Sequence, residues 1–151
     1  MFMKIREIIE VYNYIVPLKL NKLDEKVRFA LIANYPLMDK IVKENEEYKK
    51  TLQEKMFEDH KEDAEKVQEL RSKITKDMTA DQIAEINKEA VKYAEYLKLE
   101  SEFIKHVVLH LEEEVEINLT KVDRDVFIET LTKAEVDFTL DDLQKLNILF
   151  N

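Results

Sequence analysis

The sequence predicts a mostly α fold. It consists of a long antiparallel, coiled-coil-like helical hairpin on a small α+β base, which holds a short two-stranded antiparallel ribbon. Three observations carry this. Apolar residues recur at spacings of three and four along most of the chain, the period of an amphipathic helix. The 151 residues include no glycine and only two prolines, so few tight turns interrupt those helices. In one place, Val115 to Thr120, the period drops to two, as in a half-buried strand. The length suits one domain spanning 1–151, in which 38–111 form the hairpin, and 1–37 with 112–151 form the base.

Residues 4–16 place Ile5, Ile8, Ile9, Tyr12, Ile15 and Val16 on one stripe, and Pro17 stops that helix. Pro17-Leu-Lys-Leu20 is short and alternating, and is expected to be a strand. Asp24 caps a second helix through Val27, Ala30 and Leu31, with a kink or restart expected at Pro36. From Met38 a stripe runs through Ile41, Asn45, Tyr48, Leu52, Met56, His60, Ala64, Val67 and Leu70 to Ile74. A continuous helix over 38–74 would be about 55 Å long. Thr79 and Gln82 form a capping box. A second stripe follows through Ile83, Ile86, Ala90, Tyr93, Leu97, Ile104, Val107 and Leu111, broken at Glu100. Folding the hairpin at residue 78 sets Ile74 beside Ile83, Val67 near Ala90 and Leu52 near Ile104. Val115, Ile117 and Leu119 then offer a strand to pair with Leu18 and Leu20. A short helix through Val126 to Leu131 and a last one capped by Thr139 and Asp142 close the base.

Composition excludes whole classes of chemistry. Without glycine there is no dinucleotide turn, phosphate loop, nucleophile elbow or EF-hand loop. Without cysteine there are no disulfides, thiol nucleophiles or thiolate zinc sites. The longest uncharged run, Phe29 to Met38, has ten residues, half of what a membrane span needs. Charged residues near the N-terminus do not suit an export signal, so a cytoplasmic location is expected. The net charge is -9, and it is unevenly spread. Residues 1–40 carry +2 and residues 112–142 carry -8, which argues against direct nucleic-acid binding.

No side-chain constellation points to catalysis. His106 and His110 share a helix face, but Val107 stands where a metalloprotease has its glutamate, so no metal or cofactor is expected. His60 falls on the hairpin stripe opposite Leu97, with no pocket around it. Glu112-Glu-Glu114 and Asp141-Asp142 are expected as solvated or capping groups rather than an acid–base pair. Tyr12, Tyr14, Tyr35, Tyr48, Tyr93, Tyr96, Phe29, Phe57 and Phe103 are expected mostly in core packing, with Tyr96, Phe103 and Phe57 off the hairpin seam. One hairpin gives each helix a single partner, so a homodimer is one expectation.

The order of features resembles a known group. An amphipathic helix runs into Leu18-Lys-Leu-Asn-Lys-Leu23 and Val27-Arg-Phe-Ala-Leu-Ile32, and a charged hairpin follows. It ends in Glu112-Glu-Glu-Val-Glu-Ile-Asn-Leu-Thr-Lys-Val-Asp123, and Phe138-Thr-Leu-Asp-Asp-Leu-Gln-Lys-Leu146 closes the chain. This layout resembles an uncharacterised family of short helical proteins encoded by tailed phages and prophages. The resemblance implies a phage origin and brings no catalytic residues. The expected function is a non-enzymatic protein–protein interaction protein, acting as a virion or tail morphogenesis factor or small structural component. The alternative is a small acidic inhibitor of a host nucleic-acid enzyme or anti-phage defence complex. In either case the partner is a protein, from phage or host.

Overall fold

Phe2–Lys4 form strand β1, whose alternation of exposed, buried and half-buried residues puts Met3 in the core. A computed structural model describes residues Met1–Asn151. Helix α1 (Ile5–Ile15) follows at once, its start fixed by the Glu7 carboxylate accepting from the Lys4 N–H at 3.1 Å. A 3-10 turn at Leu20–Lys22 leads to α2 (Glu25–Phe57), which Asp24 caps by accepting from the Lys26 N–H at 3.0 Å. Next come α3 (Lys61–Ser72), α4 (Ala80–Ala90), a 3-10 turn at Val91–Tyr93 and α5 (Ala94–Leu111). Strand β2 (Glu114–Glu116), α6 (Arg124–Lys133) and α7 (Leu140–Leu146) complete the chain. The fold is mostly α with one two-stranded antiparallel ribbon, as the periodicity predicts.

Two compact units result: Met1–Glu47 with His110–Asn151, and Tyr48–Leu109. The second unit begins later than residue 38, because Met38 is fully buried in the first unit's core and Ile41 packs against it.

In the first unit Ile8, Val11, Val27, Phe127, Leu131, Leu146 and Leu149 make a core from both ends of the chain. Phe127 and Phe150 meet edge-on at 5.4 Å. The fully buried Asn34 of α2 acts as a substitute strand. Its amide donates to the Thr120 carbonyl at 2.9 Å, and its carbonyl accepts from the Thr120 N–H at 2.7 Å. The Thr130 hydroxyl accepts from the Asp24 N–H at 2.6 Å, holding α6 to the start of α2. A parallel bridge between Val122 and Phe150 pins the C-terminus.

The ribbon corrects one expectation. Ile117 and Leu119 are buried and Val115 half-buried, but the partner strand is Phe2–Lys4, in the register Phe2 to Glu116, Met3 to Val115 and Lys4 to Glu114. Leu18 and Leu20 do not pair with it. After Pro17 the chain turns tightly, with the Lys22 and Leu23 N–H groups donating to the Lys19 and Leu20 carbonyls, and Leu20 stays exposed. At Pro36, where a kink or restart is expected, α2 continues without a restart. Proline removes only the N–H that would bond the Ile32 carbonyl, and Ile32 and Pro36 both lie on the exposed side of the helix.

The second unit departs from the straight two-helix register. The helix expected over 38–74 breaks at 58–60, where His60 leaves helical geometry with φ -123° and ψ 21°. Glu62 and Asp63 then favour a new helix N-terminus through its dipole. Arg71 of α3 forms a two-pronged ion pair with Glu100 of α5, at 3.0 and 2.6 Å. The expected register would set Arg71 near Ile86, about 20 Å away along a helix. Phe57 packs on both Tyr96 and Phe103, with ring centres 5.5 and 5.7 Å apart. The three rings therefore belong to the seam, and Ile104 is 60% exposed. The 3-10 turn at Val91–Tyr93 accounts for the shift. Three residues at 3.0 per turn rotate the helix about 60° further than 3.6 would, bringing Tyr96 and Phe103 to the seam beside the half-buried Leu97 and Glu100 and leaving Ile104 outside.

Two outcomes follow. Asn34→Ala leaves both Thr120 backbone groups without their partner and costs about 2–4 kcal/mol, read as a lower urea midpoint. Phe103→Asp lowers the melting temperature by several degrees, whereas Ile104→Asp one residue on changes it little. Equal losses from the two would place the seam back on Ile104.

Candidate functional site

The first unit carries an apolar groove between the end of α1, the Leu20–Lys22 turn and the first half of α2. Ile15, Val16, Leu18, Leu20, Leu31, Ile32 and Tyr35 line about 320 Å³. Its form follows from local sequence. Pro17 ends α1, and Leu18 and Leu20 of the following turn line the groove, with the Leu18 N–H bonded to the Ile15 carbonyl at 3.1 Å. The α2 residues Val27, Leu31, Asn34 and Met38 take the buried line of that helix, which leaves Phe29, Ile32 and Tyr35 facing outward.

A polar chain fixes one edge of the groove. Tyr35 stacks on Tyr12, with ring centres 5.7 Å apart and planes inclined by 23°. The Tyr12 hydroxyl donates to Asp39 Oδ1 at 2.8 Å, and Lys43 Nζ reaches Asp39 Oδ2 at 2.6 Å. Hydrogen bonding to Tyr35 and to Asp39 pushes the Tyr12 hydroxyl above the usual phenol range. Hydrogen bonds from Lys43 and Tyr12 hold the Asp39 carboxyl below its ordinary value, and the Lys43 ammonium is raised by the same contact. All three groups are thus locked in their neutral-pH protonation states. The chain holds Tyr35 in place and exchanges no proton near pH 7.

The residues singled out by the sequence lie elsewhere. His60 starts α3, its Nδ1 3.3 Å from Asp63. His106 is exposed, and His110 Nδ1 lies 3.2 Å from Glu113. No group of three histidine or carboxylate side chains is arranged to hold a metal ion. Glu112 sits between Lys4 at 2.7 Å and Arg6 at 3.3 Å, and the hydrogen bond from Lys4 lowers its pKa. Asp142 completes the cap with Thr139. Phe29 and Tyr35 are not core residues, at 58% and 44% exposure.

Comparison with known protein families, characterised proteins and solved structures finds no match to the chain. The groove was missed in the sequence because Leu18 and Leu20 were assigned to a strand. The signal was nonetheless present in the uncharged run Phe29 to Met38, which holds more apolar side chains than one buried helix line can use.

Glu100 is the polar group whose ionisation matters to the second unit. The hydrogen bonds from Arg71 lower its pKa, against the opposing effect of burial. Its stabilising share is therefore complete above the ordinary glutamate range, about 4.3, and is lost as pH falls through the lower folded value. Arg71 is half exposed, so solvent screening keeps the pair below about 1 kcal/mol. Glu100→Gln should flatten the fall in melting temperature between about pH 5 and 3. Parallel curves for the two proteins would show that the pair contributes nothing.

Proposed function

We propose that this chain is a non-enzymatic, phage-encoded protein–protein interaction protein, working in virion or tail morphogenesis as an assembly factor or small structural component. One observation carries the interaction reading: an apolar groove of the first unit at which Val16, Ile32 and Tyr35 stay about half exposed. Exposed apolar surface of this kind is costly to keep in water and marks contact sites. The phage setting rests on the layout of 112–123 and 138–146. It places the protein in the host cytoplasm or the virion.

A second reading has its own support. Glu114, Glu116, Asp125, Glu135 and Asp137 are all exposed within the segment that carries the net -8. Such a surface suits an acidic inhibitor that occupies the phosphate-binding face of a host nucleic-acid enzyme or defence complex. Affinity capture with the full chain, from host cells producing phage, separates the two. A stoichiometric tail or capsid protein is the expected result. Recovery of a nuclease or polymerase instead overturns the morphogenesis reading in favour of the inhibitor.

A further inference from the structure

We propose that a second hollow of the first unit, between the end of α1, the Leu20–Lys22 turn and the segment after α6, binds a small organic phosphate. The hollow has a volume of about 490 Å³ and shares only Leu18 with the apolar groove. It stands apart from the interaction function proposed above.

Three hydrogen-bond donors belong to residues that line it. Lys19 and Lys22 are joined by a 3-10 turn, in which the Lys22 N–H donates to the Lys19 carbonyl at 3.1 Å. Side chains three residues apart eclipse one another in that geometry, so the turn sets both lysines on one side. Neither ammonium pairs with a carboxylate, and Asp24, close by in sequence, accepts from the Lys26 N–H instead. Two like charges held together repel, and an anion that bridges them removes the repulsion. The third donor is Tyr14. Its ring is half-buried, while its hydroxyl oxygen is buried with no hydrogen-bond partner. Burial first, and the Asp142 carboxylate second, push this hydroxyl above the usual phenol range, so it remains a donor. A buried donor left unmet is rare in a folded protein, and an anionic oxygen would satisfy it.

The lining also selects the class of anion. Two cationic donors and one neutral donor match the three oxygens of a phosphate monoester, which carries about -1.5 to -2 near pH 7. A carboxylate offers one charge and two oxygens. Pro17, Leu18 and Val136 add an apolar wall that inorganic phosphate leaves uncovered and an organic body covers. Asp137 lines the hollow as well, and its carboxylate opposes an anion there.

The test titrates the full chain with phenyl phosphate, inorganic phosphate and benzoate, followed by amide resonances and calorimetry. Phenyl phosphate should bind saturably and shift Lys19, Lys22 and Val136, with the other two about tenfold weaker. Replacing both lysines, Lys19→Gln with Lys22→Gln, should abolish this binding, and Asp137→Asn should strengthen it. Tyr14→Phe should weaken it about fivefold without lowering the melting temperature, because the lost hydroxyl has no partner in the free chain. Benzoate binding as tightly as phenyl phosphate overturns the proposal. So do binding that survives the double lysine variant, shifts spread over the exposed lysines at large, or a Tyr14→Phe chain that binds undiminished. A phosphoserine peptide that outcompetes phenyl phosphate assigns the phosphate to a partner chain and overturns the small-molecule ligand.

Discussion

The first unit depends on one side chain that behaves as backbone. Asn34 sits on the buried line of α2 with no exposure, yet its amide is neither stranded nor wasted. It pairs with both the N–H and the C=O of Thr120, in the manner of a neighbouring strand. The segment after β2 continues extended from Ile117 to Val122 with no ribbon partner beyond Ile117, whose N–H donates to the Met1 carbonyl. Asn34 supplies the next rung. Because the side chain belongs to a helix, that rung also locks the distance between α2 and the strand. Ile117, Leu119 and Val122 are thereby presented to Val27, Leu31 and Phe127 as one core. A leucine of similar volume would fill the space but leave two polar backbone groups unmet.

A chain without glycine must find other means of ending helices. At the end of α6 the Glu135 and Val136 N–H groups return to the Thr132 and Leu131 carbonyls, the paired bonds of a helix terminus that normally places glycine in the left-handed region. Here Glu135 occupies that region, with φ 57°. A side chain there costs roughly 1–2 kcal/mol, a strain that the surrounding hydrogen bonds and the packing of Val136 and Phe138 against the core offset. Elsewhere the chain avoids the need. Leu20–Lys22, Val91–Tyr93 and Asn147–Leu149 reverse or rotate the chain with 3-10 geometry, which any residue adopts. That economy explains why α2 reaches 33 residues and runs through a proline.

The same short turns mark where the sequence could be followed and where it could not. Local chemistry was legible. The caps at Asp24, Thr79 and Thr139 form as spaced, and the alternation at Val115, Ile117 and Leu119 does face a core. Partners were not. Phe2-Met-Lys4 alternates less clearly than Pro17-Leu-Lys-Leu20, yet it is Phe2–Lys4 that pairs with Glu114–Glu116, and the Ile5 N–H then bonds the Glu113 carbonyl. In α5 Tyr96 and Phe103 join the seam one residue ahead of the expected Leu97 and Ile104, after a 3-10 turn that carries no distinctive residue yet advances the helix phase. Glu100 then read as a flaw in an apolar stripe, when it is the seam position that receives Arg71.

The groove follows from the same accounting of helix faces. A helix packed on one core needs about one apolar residue in three or four. Over Val27 to Met38, α2 fulfils this with Val27, Ala30, Leu31, Asn34 and Met38, and still carries Phe29, Ile32, Tyr35 and Leu37 outside. The stacked tyrosines and the Tyr12–Asp39 hydrogen bond tie part of that outer face to α1. Pro36 adds a carbonyl at Ile32 that lacks its helical donor on this same face. Phe29, Ile32 and Leu37 thus lie outside the buried core of the first unit, and Tyr35 is tied to it only through its stack on Tyr12. The proposed interaction reading rests on this surplus of apolar side chains over what one buried helix line can use.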